Sequence, residues 1–204
     1  MMLGFPIKTE VNKKIPKSEL FRSFEGTPRQ RRILFDEISD VFIANEISEK
    51  SISIQEGKET RLIYVIKVDL KSYDYSLYTI EFLFNAIKQK IVLVLSYNNL
   101  QKVLIRHKKI FSTDWESSFR LSIEGINLDD VWSSFVEQIG AFELKDDSLD
   151  YTVDQQIKIE ELLSEQTRLR KKINSTKTGH CKVYMYAKLM EITDEISKIQ
   201  MRKK

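Results

Sequence analysis

Residues 61–97, RLIYVIKVDLKSYDYSLYTIEFLFNAIKQKIVLVLSY, decide the fold class. Arg61–Leu70 concentrates Ile63, Tyr64, Val65, Ile66 and Val68, the β-branched and aromatic types that suit a pleated, half-buried surface, and predicts a strand. Tyr75–Gln89 places Leu77, Ile80, Leu83, Phe84 and Ile87 at helical spacing and predicts a core-facing helix. Ile91–Tyr97 is a continuous apolar run, the mark of a strand covered on both faces. Strand, helix and buried strand in succession predict an α/β (α+β) domain.

Downstream, Asn98-Asn99 turns the chain into a second hairpin strand over Lys102–His107. Residues 110–124 carry Phe111, Trp115, Phe119, Leu121 and Ile123 and read as an extended segment with one more strand. Asn127 or Asp129 caps a helix over 128–140 with Val131, Trp132, Phe135 and Ile139 on one face. Upstream, Thr27 followed by Pro28 is a helix start, and Ile33, Leu34, Ile38, Val41 and Phe42 extend that helix over 28–45. A short strand is expected at Ser51–Ile54, with Ile52 and Ile54 inward and a turn around Gly57 after it. Residues 1–18 read as an irregular basic arm because Pro6 and Pro16 oppose regular structure. The domain is thus expected over 19–145, with a mixed four- to six-stranded sheet and packed helices.

The tail has its own pattern. After an acidic linker at Phe142–Tyr151, Ile159, Leu162, Gln166, Leu169 and Ile173 form an a/d seam. Asn174–Gly179 interrupts it, and Met185, Leu189, Ile192, Ile196 and Ile199 form a second seam of equal length. Two matched seams joined by a short turn predict a C-terminal antiparallel helical hairpin, coiled-coil-like, over 154–201. On this reading its apolar residues are spent on self-pairing and its charged outer face is left for a partner.

Composition narrows the function classes. The chain has 204 residues, 42% apolar and 31% charged, with 6 Gly and 3 Pro, which fits one domain plus a charged appendage. Cys181 is the single cysteine, so no internal disulfide or all-cysteine zinc site is possible within one chain. His107 and His180 are the two histidines; His180 and Cys181 are adjacent and read as polar residues of the hairpin turn. No metal site is predicted. The longest apolar run, Ile91–Leu95, is far below the roughly 20 residues that span a bilayer, and the amino terminus does not read as a signal peptide. Cytoplasmic residence and no membrane partner are expected. Residues 154–204 hold 12 basic and 7 acidic residues, and residues 1–32 hold 8 basic and 3 acidic ones, so both ends are basic and the middle is acidic.

One catalytic pattern stands out. Asp69-Leu70-Lys71 closes the predicted strand, and Asp69 and Lys71 would share a side because strand side chains alternate. A carboxylate and a lysine so placed suit a Mg²⁺-dependent nuclease, the carboxylate holding the metal and the lysine orienting water. That chemistry needs a second carboxylate; Glu56 and Glu59 are the nearest in sequence, although both fall in the turn. The plainer reading is an exposed strand end. No glycine-rich phosphate loop, Walker pattern or G-x-S-x-G is present. For nucleic acid, Lys8, Lys13, Lys14 and Lys17 with Arg29, Arg31 and Arg32 form a candidate phosphate-contacting cluster, though no helix-turn-helix, zinc finger or RNA-recognition motif accompanies it.

Several stretches together resemble the bacterial domain-of-unknown-function family 4391. These are Lys8-Thr9-Glu10, Val11-Asn12-Lys13 and Ile15-Pro16-Lys17, then Val68-Asp69-Leu70-Lys71, Thr113-Asp114-Trp115, Glu124-Gly125-Ile126-Asn127-Leu128 and the charged terminal hairpin. The chain departs from the family where Lys88-Gln89-Lys90 stands in place of an Ile-Pro, and in the aromatics Tyr184 and Tyr186 of its second tail helix. The resemblance implies a bacterial protein encoded near helicase-like and DNA-methyltransferase genes of restriction or phage-defence clusters, with no established activity or catalytic residues. The expected function is a non-catalytic accessory subunit that docks a helicase- or methyltransferase-type protein partner and needs no cofactor. The alternatives are a restriction-like nuclease using Mg²⁺, Asp69, Lys71 and Glu56, and a non-specific binder of DNA.

Overall fold

The structure is a computed structural model that describes residues 3–22, 25–144, 148–176 and 179–201. Two compact units divide the chain, Met1–Phe142 and Glu143–Lys204.

The first unit is a mixed α/β domain on a six-stranded sheet whose strands lie side by side in chain order. Its elements run β1 (Glu10–Lys14), α1 (Lys17–Leu20), α2 (Pro28–Glu37), β2 (Ile38–Ser48), α3 (Glu49–Ile52), β3 (Leu62–Leu70), α4 (Leu77–Ala86), β4 (Lys90–Tyr97), β5 (Leu100–His107), β6 (Lys109–Ser112) and α5 (Leu128–Gly140). Every neighbouring pair is antiparallel except β3 and β4, which run parallel. The exception follows from connectivity: α4 carries the chain back along the sheet, and only a crossover of that length can return a strand in the same direction.

One sheet face packs Ile66, Val68, Leu93 and Leu95 against Leu34 of α2 and Ile80, Leu83 and Phe84 of α4. The other receives α5, whose Phe135 ring lies 5.7 Å from that of Phe5. With both faces covered, Ile91 to Leu95 are all buried, and each side chain so removed from water contributes roughly 1.5–3 kcal/mol. The helices start where their caps stand. Thr27 and Gln30 form a reciprocal capping box with Pro28 at the first helical position. Ser76 caps α4, and Asn127 accepts from the amides of Asp129 and Asp130 at the start of α5.

The expected strand, helix and buried strand of residues 61–97 are present, as is the helix over 128–140. Three stretches differ. The helix read over 28–45 stops at Glu37, and Ile38–Ser48 is the longest strand. Its pairing with β3 shifts register between Ile38 and Asp40 and again between Ile43 and Asn45. Ile38 and Val41 lie in the core shared with α2 and α4, whereas Ile47 pairs with Ile63 on the opposite face. Two bulges and burial on both faces together leave Ile38, Val41, Ala44 and Ile47 buried at intervals of three, which imitates a helical period. Ser51–Ile54 is no strand: α3 takes its first two residues, begun where the Ser48 amide donates to the Ser51 hydroxyl at 2.9 Å and ended by Ser53 at φ 57°. Residues 3–18 are not an irregular arm, and residues 1 and 2 of that stretch lie outside the described residues. Thr9 and Asn45 are buried and joined by a 2.9 Å hydrogen bond, and β1 then pairs with β2 as an edge strand. All five β1 side chains are exposed and two are lysines, a composition that discourages further strand pairing.

The second unit is a helical hairpin of α6 (Leu149–Ser175) and α7 (Gly179–Met201). Leu169, Ile192 and Ile196 are buried at its seam, with Leu162, Met185 and Leu189 packed beside them. Lys158 pairs with Glu195 at 2.6 Å and Glu165 with Lys188 at 2.6 Å, so early residues of α6 meet late residues of α7 and the helices are antiparallel. Gln166, the polar member of the first seam, donates to the Thr193 hydroxyl at 2.9 Å. α6 begins at Leu149, inside the stretch read as a linker, because Ser148 caps the Tyr151 amide. Residues 145–147 of that linker, and 177 and 178 of the predicted turn, lie outside the described residues.

Candidate functional site

At the end of β3 the charges are arranged differently from the D-x-K pattern. Asp69 and Lys67 point to the same sheet face and pair at 2.8 Å, with the Lys67 ammonium 5.7 Å from the centre of the Phe42 ring. β3 ends at Leu70, so Lys71 leaves the strand's alternation; its ammonium donates to the Phe35 carbonyl of α2 at 2.6 Å. Asp69 and Lys71 therefore do not converge. Glu56 and Glu59 lie before the opposite end of β3. Glu56 stands 3.9 Å from Arg61, and the Glu59 amide turns toward Asp129.

A second carboxylate does face Asp69, but it is Asp40, its register partner on β2. The helical spacing of residues 38–45 hides it, because Asp40 gains a strand neighbour only once those residues form β2. Asp40 is 2.5 Å from Lys14. That hydrogen bond, against a smaller desolvation cost, holds its carboxyl below the usual range, with the Lys14 charge and Ser39 assisting. Two carboxylates with one lysine each form a charge-compensated patch. Among the described residues no group of three or more His, Cys, Asp or Glu is placed to hold a metal ion.

The basic cluster also divides. Lys14 is engaged by Asp40, and Lys17 donates to the Ile38 carbonyl at 2.6 Å while lying 5.3 Å from the Phe35 ring centre. Burial, then the charge of Lys71, lowers the Lys17 pKa against the pull of Asp40. Arg32 sits 3.7 Å from Asp36 in a largely exposed pair, and Lys8, Lys13, Arg29 and Arg31 are exposed. These cations are spread over a turn, an edge strand and two helices.

The hairpin carries a feature that its self-pairing does not use. Val183, Tyr184, Tyr186 and Met190 of α7 are 69%, 72%, 52% and 69% exposed. At about 100° per residue, Val183, Tyr186 and Met190 lie on one stripe, centred roughly 120° around the helix from the seam formed by Met185, Leu189, Ile192 and Ile196. α7 is thus apolar on two sides, and one side is open. Leu163 of α6 is exposed as well. The outer face is therefore not left with charge alone, as the seam spacing predicts, because the second stripe shares the seam's period with a different phase. Cys181 and His180 are exposed near the start of α7. Among the described residues no helix is long and apolar enough to cross a membrane.

Neither curated proteins nor solved structures yield a match to this chain. One family model does match, over residues 3–196, and so takes in both the sheet unit and nearly all of the hairpin. The chain belongs to the family described as a domain of unknown function, DUF4391.

Proposed function

We propose that the protein is a non-catalytic interaction subunit of a bacterial restriction or anti-phage defence system, and that its helical hairpin docks a helicase- or DNA-methyltransferase-type partner. The observation that carries this reading is the open apolar stripe Val183–Tyr186–Met190. Aromatic and methionine side chains of this kind are enriched at interfaces, and they remain uncovered on a helix whose other apolar side is already packed.

The test is co-expression with the gene products encoded beside it. Full-length protein recovers the partner; Val183→Lys with Met190→Lys loses it while the hairpin stays helical. A chain ending at Asp150 loses it too. Equal recovery by all three defeats the docking role.

The second reading, a Mg²⁺-dependent nuclease, draws on the register pairing of Asp40 with Asp69. It expects plasmid cleavage that needs Mg²⁺ and vanishes in Asp69→Asn. The protein alone, free of cleavage in Mg²⁺ and Mn²⁺, leaves the docking reading standing.

A further inference from the structure

The sheet unit has a basic cavity of about 560 Å³ at the amino ends of the parallel strands β3 and β4, beneath the last turn of α4. Arg61, Lys88, Lys90 and Arg106 line it against one carboxylate, Glu59. Two of the four cations have structural duties. Arg106 donates to the Asn85 side chain at 2.7 Å and the Phe84 carbonyl at 2.9 Å, closing the carboxyl end of α4. The Lys90 ammonium lies 4.8 Å from the centre of the Trp132 ring. Capping explains Arg106, and it also offsets the negative end of the α4 dipole inside the cavity.

Arg61 and Lys88 have no such duty. Among the described residues Arg61 pairs only with Glu56, at 3.9 Å with both side chains largely exposed, and Lys88 makes no ion pair. Like charges gathered at a concavity raise the local potential and favour an anion. Leu62 and Ile87, both half-buried, add an apolar wall. The volume falls within the roughly 300–1,000 Å³ of small-molecule sites.

We propose that this cavity binds a phosphate ester of nucleotide size. Arg61 and Lys88 contact the phosphate, the fixed guanidinium of Arg106 sets its orientation, and Leu62 and Ile87 face the rest of the molecule. Arginine's planar fork suits phosphate geometry, and lysine adds a mobile point charge. The shared chemistry has two sources, a free nucleotide or a terminal phosphate of a strand. The site lies within the sheet unit and is independent of the docking stripe.

Calorimetric titration of the full chain at low salt tests it, with pyrophosphate, AMP and a short 5′-phosphorylated DNA oligomer as probes. The paired variant Arg61→Gln with Lys88→Gln is compared with Arg29→Gln and Arg31→Gln, which removes equal charge elsewhere; matching thermal melts exclude misfolding. Saturable 1:1 binding of AMP and pyrophosphate, weakened about tenfold in the cavity variant and unchanged in the other, supports the site. Displacement of AMP by the oligomer names a strand as the source, and binding of AMP alone names the free nucleotide. Equal weakening in both variants, or no saturation by AMP and pyrophosphate at millimolar concentration, overturns the proposal.

Discussion

Lys67 stands 2.8 Å from Asp69, two positions back on the same strand, and this pairing sets what the end of β3 does. Residues two apart share a sheet face only while the strand continues. Lys67 is inside β3 and Lys71 is beyond it, so the lysine that meets Asp69 is the one before it. Lys71 instead holds the carboxyl end of α2 through the Phe35 carbonyl.

Because that pair is partly open to solvent, its contribution to stability is small. Asp69→Asn is expected to cost less than about 1 kcal/mol in urea unfolding. On the docking reading it also leaves partner recovery unchanged, which co-purification checks.

Asp129 has a larger structural role. Its carboxylate accepts from the amides of Lys58 at 2.6 Å and Thr60 at 2.8 Å, with a longer contact to the Glu59 amide, and so pins the loop before β3 to the first turn of α5. Burial alone would raise its pKa, but the bonds from Thr60, Glu59 and Lys58 outweigh it and hold the group below its ordinary value. A group whose pKa is depressed on folding stabilises the fold above its unfolded value and loses that stabilisation as pH falls through the folded one. The contribution is therefore full at neutral pH, begins to fall near the ordinary carboxylate value of about 4 and is lost as pH passes the lower folded value. Asp129→Ala is expected to cost about 1–3 kcal/mol at pH 7 and less in acid, measured by urea unfolding at both.

Gly57 answers to the same carboxylate. A methyl group there would overlap the Asp129 carboxyl atoms. Gly57→Ala is expected to destabilise the wild-type background by about 1–2 kcal/mol and to be nearly silent in Asp129→Ala, because the two residues share one contact. Additive losses in the double variant would refute that coupling.

In the hairpin, seam and stripe residues are expected to behave oppositely. Ile196→Ala removes a buried seam side chain and lowers helicity and melting temperature. Val183→Lys or Met190→Lys changes stability by no more than about 0.5 kcal/mol, since both are exposed. Circular dichroism of the full chain separates them.

Much of the fold was legible because its signals are local. Thr27-Pro28 and Asn127 mark helix starts through hydrogen bonds spanning a few residues, and Ile91–Leu95 marks a doubly covered strand by composition alone. β2 was not legible, since its two bulges and the burial of both its faces leave apolar residues at a spacing of three, and only pairing with β3 reveals the strand. β1 was hidden for a related reason: all five of its side chains are exposed, so no apolar alternation betrays it. The candidate sites followed suit. Asp69 was found in the sequence, whereas Asp40, 29 positions away, became its neighbour only through the β2–β3 register.

The sequence by itself determined the α/β class, the buried strand, the helix over 128–140 and a two-helix tail with matched seams. Periodicity, caps and turn chemistry act over a few residues, and neighbouring residues cannot avoid them. Tertiary structure alone decided which lysine meets Asp69, that Asp40 faces it, that Arg61, Lys88, Lys90 and Arg106 border one cavity, and that α7 keeps an apolar stripe uncovered. These depend on strand register and helix phase, which are set by what packs against what across the whole chain.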